Sequence, residues 1–239
     1  MKILGIDTAT DVLNLAITDK GKIVADYKIE KEKMTHSAII IPVLKDILDI
    51  TELGLRDIDG IAVSIGPGSF TGLRIGLATA KGLVFSLSIP IVGVNTLEVY
   101  ASNWKRLLPA ILCPMVKARK GEYYFTLYQK RKNGDDLYRI KPYQCKDWFS
   151  IKEELLLLRQ PVYIFGYGLR EIIENKNGDN CLENIHFMFN EHEPPGAANV
   201  ALIGEKKIFL KETDSVLELS PFYIRKSAAE IKKDEANKI

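Results

Sequence analysis

Apolar and polar positions along the first hundred residues follow two rhythms. Short apolar runs at Lys2 to Asp7, Val12 to Thr18 and Ile23 to Ile29, with Lys20-Gly21 as a turn between the last two, predict an antiparallel three-stranded meander. The period then lengthens. Ile40, Ile41, Val43, Leu44, Ile47 and Leu48 recur at helical spacing within His36 to Ile50, with Pro42 in the early turns. A buried-type strand at Ile58 to Ile65, a helix at Thr71 to Ser86, a strand at Ile91 to Val94 and a helix at Thr96 to Trp104 complete the order βββαβαβα.

A weaker version follows Pro109. Ala110 to Lys117 and Glu122 to Tyr128 read as strands about a Lys120-Gly121 turn, and Tyr138 to Cys145 as a third after Asn133-Gly134. Helices at Trp148 to Leu158 and Gly196 to Leu210 and strands at Val162 to Phe165 and Ile185 to Phe189 follow. The repetition predicts two related α/β lobes, residues 1–104 and 105–224, and a charged tail, 225–239. Three strands before the first helix disfavour a dinucleotide-binding fold, whose strands alternate with helices from the start.

Composition changes little: of 239 residues 46% are hydrophobic, 27% charged and 9% aromatic, as in an ordinary globular protein. Lys plus Arg number 33 against 31 Asp plus Glu, and the small excess sits between Arg225 and Ile239, where five basic residues face three acidic ones. The body therefore offers no basic field for nucleic acid. Cys113, Cys145 and Cys181 form no CxxC pair, which fits a reducing cytoplasm better than a disulfide framework or a zinc knuckle. The start lacks a secretion-signal pattern, and the longest weakly polar stretch, Gly82 to Val94, is too short to cross a bilayer, so a cytoplasmic chain with no membrane partner is expected.

The most informative segment is Ser64-Ile65-Gly66-Pro67-Gly68-Ser69-Phe70-Thr71-Gly72-Leu73-Arg74, a strand end, a glycine turn and a helix start. Amide groups at such a helix start receive anions, with Ser69 or Thr71 as cap, but the spacing also suits a tight structural turn and has no phosphate-binding lysine. Asp7, Thr8 and Thr10 at the first strand's end suit a magnesium ion, a phosphate or simply a turn. Gly72, Gly76 and Ala80 recur at i, i+4, i+8, a small-residue stripe for close approach of either the protein's own sheet or a partner's helix. Tyr123, Tyr124, Phe125 and Tyr128 read as core and rim before they read as a base-stacking strip. His36, His186 and His192 form no metal-binding pair, and no GxSxG elbow supplies a nucleophile.

Taken together, Ile3-Leu4-Gly5-Ile6-Asp7-Thr8-Ala9-Thr10, Gly66 through Gly76, Ala80-Lys81-Gly82-Leu83 and Gly93-Val94-Asn95-Thr96-Leu97-Glu98 resemble the bacterial TsaB family, also called YeaZ. The resemblance continues more thinly through Ala118 to Tyr124, Gly166-Tyr167-Gly168 and Pro221-Phe222-Tyr223-Ile224-Arg225. It implies an actin-like, duplicated ribonuclease-H-like βββαβα fold. It also implies a non-catalytic scaffold subunit of the complex that makes N6-threonylcarbamoyladenosine in tRNA. Implied partners are the catalytic paralogue TsaD, the ATPase TsaE, a second copy when alone, and tRNA through the complex. No tightly bound cofactor is implied, with ATP entering at the level of the complex.

The paralogue carries Val-Asn-His-(Leu or Met)-Glu-Gly-His, whose histidines bind metal, whereas this chain has Thr96 and Tyr100 at both histidine positions. A hydroxyl and a phenol are poor replacements for neutral imidazole. The resemblance assigns pairing to the helices bearing His36, Ile40, Val43, Leu44 and Ile47, and Phe70, Gly72, Leu73, Arg74, Gly76, Leu77, Ala80 and Val84. Asp7, Thr8, Thr10, Gly66, Gly68 and Ser69 stay as a nucleotide or anion candidate. An ATP-dependent small-molecule kinase of the actin-like superfamily is the alternative function, and a metalloprotease the weaker one.

Overall fold

The computed structural model describes residues 1–30, 35–104, 109–130, 137–174, 184–188 and 196–224. In the first half, β1 (Lys2–Asp7), β2 (Val12–Asp19) and β3 (Lys22–Glu30) form the expected meander, turned between the last two by Lys20 and Gly21, both at positive φ. After α1 (His36–Ile50), β4 (Gly60–Gly66) runs parallel to β1, and after α2 (Phe70–Leu87), β5 (Ile91–Asn95) runs parallel to β4, giving the order β3-β2-β1-β4-β5. Helix α3 (Thr96–Ser102) ends this half.

The second half repeats the plan with β6 (Ala110–Arg119), β7 (Glu122–Phe125), β8 (Tyr128–Lys130), β9 (Leu137–Arg139), β10 (Gln144–Asp147), α4 (Trp148–Leu156), β11 (Val162–Tyr167), α5 (Arg170–Glu174), β12 (Ile185–Phe187) and α6 (Ala197–Phe209). Here the order is β10-β7-β6-β11-β12, with β8 on the start of β6 and β9 on β8. Two expected strands divide. The run from Glu122 splits into β7 and β8 at the buried Thr126, whose hydroxyl donates to the Lys141 carbonyl, and the run from Tyr138 splits into β9 and β10. Side-chain capture of a backbone carbonyl competes with the ladder there, and the alternating pattern does not register it. The Asn133-Gly134 turn, His192, Cys181 and the 225–239 tail lie outside the described residues.

The division into 1–104 and 105–224 does not describe how the helices pack. Val200 and Ala201 of α6 share a core cluster with Ile3, Ala62, Val92 and Val94 of the first sheet. The approach is close, since a Cβ at Gly5 of β1 would stand 2.1 Å from the Ala197 carbonyl oxygen. Conversely, Leu97, Tyr100 and Ala101 of α3 join Trp104 in a cluster with Leu112, Val116, Tyr128 and Phe165 of the second sheet. Each half thus lends a helix to the other. Burial of one such leucine or aromatic contributes about 1.5–3 kcal/mol, so the exchange ties the two sheets together.

Candidate functional site

The turn after β1 and the glycine turn before α2 close on each other. The Ser69 amide donates to the Ala9 carbonyl at 2.8 Å, and the Thr8 hydroxyl donates to the Gly72 carbonyl at 2.8 Å. Ser69 caps α2 by accepting from the Gly72 amide at 3.2 Å, as its position predicts. Asp7 accepts from the Ala9 amide at 3.0 Å, and Thr10 accepts from the Val12 amide at 3.2 Å. A Cβ at Gly68 would stand 2.3 Å from the Ala9 carbonyl oxygen, and Gly66, at φ 110°, has the Phe222 carbonyl oxygen beside it. The nucleotide or anion candidates Asp7, Thr8, Thr10, Gly66, Gly68 and Ser69 thus meet at one pair of turns, where several of their polar groups also bond to the fold itself.

The small-residue stripe has the same explanation. A Cβ at Gly72 would stand 2.1 Å from the Thr8 carbonyl oxygen, and one at Gly76 2.2 Å from the Thr8 hydroxyl oxygen. Gly72, Leu73, Gly76, Leu77, Ala80 and Val84 are the buried face of α2, and His36, Ile40, Val43, Leu44 and Ile47 lie on the buried face of α1. These expected pairing residues pack inside the chain, because the apolar face of an amphipathic helix goes first to its own sheet. Phe70 and Arg74 remain accessible. Arg74 lies 3.9 Å over the Phe70 ring and donates to the Tyr223 hydroxyl at 3.0 Å, while Phe70 stacks on Tyr223 at 5.1 Å.

The outward sides of the two helices carry a different set. Ile41 is 54% exposed, Ile50 66% and Phe85 63%, and Ala78, Gly82 and Ser86 form an exposed small-residue row on α2. That row has the same i, i+4, i+8 spacing as the buried one. A strap from Asp214 to Ile224 meets α2 at Lys81 and Arg74 and is joined to β5 through the Asp214 amide and the Ile91 carbonyl at 2.9 Å, and to β4 through the Phe222 amide and the Ile65 carbonyl at 2.7 Å. Sequence reasoning did not assign this strap, though the Pro221-Phe222-Tyr223 motif marks its end.

Behind the closed turns, Asp7 is buried, and burial raises its carboxyl above the ordinary range, opposed by the Ala9 amide and the Ser64 hydroxyl. Tyr100 is lifted further, first by burial and then by the Asp7 charge. Tyr100 is thus a buried phenol rather than an imidazole, and Thr96 beside it on α3 is a hydroxyl sealed at 1% exposure. The residues at the paralogue's metal positions thus do not fit a divalent ion. Among the described residues no group of three or more His, Cys, Asp or Glu side chains gathers as a metal site. Tyr123, Phe125 and Tyr128 are core, and His186 stacks on Tyr163 at 5.0 Å.

Comparison with known proteins gives concordant matches. A family model described as TsaD, tRNA N6-adenosine threonylcarbamoyltransferase, matches residues 29–152. The tRNA threonylcarbamoyladenosine biosynthesis protein TsaB of Bacillus subtilis is 33% identical over 244 residues, covering 100% of both chains. Among solved structures, YeaZ from Pseudomonas aeruginosa superposes with a TM-score of 0.74 at 20% identity over 93% of this chain and 99% of that one. The polyphosphate/ATP-glucomannokinase of Arthrobacter matches in fold alone, with a TM-score of 0.51 at 10% identity over 88% of this chain and 99% of that one. The architecture is the actin-like, duplicated ribonuclease-H-like one.

Proposed function

We infer the role of this chain from its membership: it belongs to the TsaB family and takes part in tRNA threonylcarbamoyladenosine biosynthesis. Within that modification we propose a non-catalytic subunit that pairs with a TsaD-like catalytic paralogue through the outward sides of α1 and α2. The observation that carries this reading is the exposed row Ala78, Gly82 and Ser86 flanked by Phe85, with Ile41 and Ile50 on the neighbouring helix. A small-residue row admits a partner helix closely, and an exposed aromatic beside it is a suitable anchor. Thr96 and Tyr100 support the non-catalytic part, since they replace the ligands that the paralogue's chemistry uses.

A TsaE-like ATPase joins the pair, a second copy takes the same face when the chain is alone, and tRNA is reached through the complex. A cytoplasmic setting belongs to the same proposal, since the modification acts on tRNA. Among the described residues no helix is long and apolar enough to cross a membrane. The kinase alternative has a likeness of fold alone behind it, since the glucomannokinase is only 10% identical.

Phe85→Glu tests the pairing. The variant should melt like the parent, because the side chain is exposed, yet lose affinity for the paralogue by about 30-fold or more, as for an interface anchor. Co-elution and mass spectrometry of nucleosides from tRNA modified by the reconstituted complex read the outcome. Undiminished co-elution would overturn the assignment.

A further inference from the structure

A recess lies at the edge of the lobe junction, away from the closed turns. Its volume is about 1020 Å³. One wall is α6, which rides on the first sheet, and the other is β9 with Tyr143, which belongs to the second sheet. Glu98 and Ser102 of α3 form part of its floor, while Asp7, Thr96, Tyr100 and the glycine turn take no part in its lining.

The chemistry of the walls is asymmetric. Leu202, Ile203 and Leu210 give an aliphatic side, and the aromatic residues Tyr138 and Tyr143 also line it. Lys207 is paired with Glu98 at 3.3 Å, which makes that couple neutral. Arg139 and Lys206 also line the recess, and among the described residues neither forms a salt bridge. Glu212 is the remaining lining carboxylate and supplies a hydrogen-bond acceptor.

The aromatic part is held in advance. Tyr143 has the Arg139 guanidinium 4.3 Å over its ring, Phe222 against its edge at 5.3 Å, and its hydroxyl 3.1 Å from that of Tyr128. A ring fixed on three sides loses little freedom when a ligand stacks near it. Two cations without salt bridges among the described residues, the held Tyr143 ring with the Tyr138 ring near it, and an aliphatic wall match a molecule that is planar at one end and anionic at the other.

We propose that this recess binds a nucleoside phosphate, its base against Tyr138 and Tyr143 and its phosphate at Arg139 and Lys206. The unit comes either from a free nucleotide or from an RNA strand. Because the walls belong to different sheets, an occupant bridges the two lobes.

Titration calorimetry of the full chain with ATP, AMP, tripolyphosphate and unmodified tRNA tests this. Lys206→Glu should weaken ATP at least tenfold, and Tyr138→Ala should weaken ATP and AMP while sparing tripolyphosphate. Lys22→Glu, on the outer strand β3, is the charge-matched control and should leave binding unchanged. Binding of tRNA but not ATP, with the same response to the variants, assigns the unit to RNA. No binding by any nucleotide-containing probe, or binding indifferent to Lys206→Glu and Tyr138→Ala in variants that melt like the parent, overturns the proposal.

Discussion

Helix α2 carries small residues on two sides, and the two sides do opposite work. Inward, Gly72 and Gly76 let the helix settle on Thr8 so closely that any side chain would collide with it. Outward, Gly82 has nothing within 4 Å of where its Cβ would be. Each glycine costs the helix about 1 kcal/mol relative to alanine. Inward, the close approach and the Thr8 to Gly72 hydrogen bond offset that cost. Outward, no contact of Gly82 does. The comparison teaches that identical spacing has no fixed meaning until the neighbouring element is known.

The largest test of this contrast is Gly76→Glu. A carboxylate forced against Thr8 has neither room nor a partner, so the variant should lose roughly 4 kcal/mol or more and fail to give soluble folded protein. Measured by thermal melting, a parent-like transition would break the distinction between the two sides.

A smaller effect concerns the carboxyl beneath the inner face. The folded-state value of Asp7 is raised above the ordinary 3.8, so the folded protein holds this proton more tightly than the unfolded chain. Its contribution is complete below that ordinary value and is lost as pH rises through the raised one. Asp7→Asn cannot ionise, and its melting temperature relative to the parent should climb as pH rises from about 4 towards neutrality. A difference that stays flat would mean that Asp7 titrates as in the unfolded chain.

Gly82→Ala should have the smallest effect, a gain of about 0.5–1 kcal/mol in the isolated chain, read by urea unfolding. A loss instead would indicate that the outer side needs glycine for a reason internal to the chain.

Much of this architecture was legible from short-range pattern. The meander, α1, α2 and the parallel strands appear where alternation and helical spacing put them, because burial of one face imposes its period on the residues that form it. The second half was less legible. Its β8, β9 and β12 have three residues each, too few to establish a period, and α5 has five. The strap was visible only as a motif, since its bonds reach β4 and β5 from residues more than a hundred positions away.

By itself the sequence determined the family resemblance, the order of the main elements and the absence of imidazole at Thr96 and Tyr100, all properties of residue identity and local spacing. Only the tertiary structure decided that Gly72 and Gly76 face Thr8 rather than a partner, that α3 and α6 exchange sheets, and that Arg139 and Lys206 share one recess. The reason is physical: a helix's sequence specifies which residues lie on one side, but what that side meets depends on elements distant in the chain, and burial is settled by their packing.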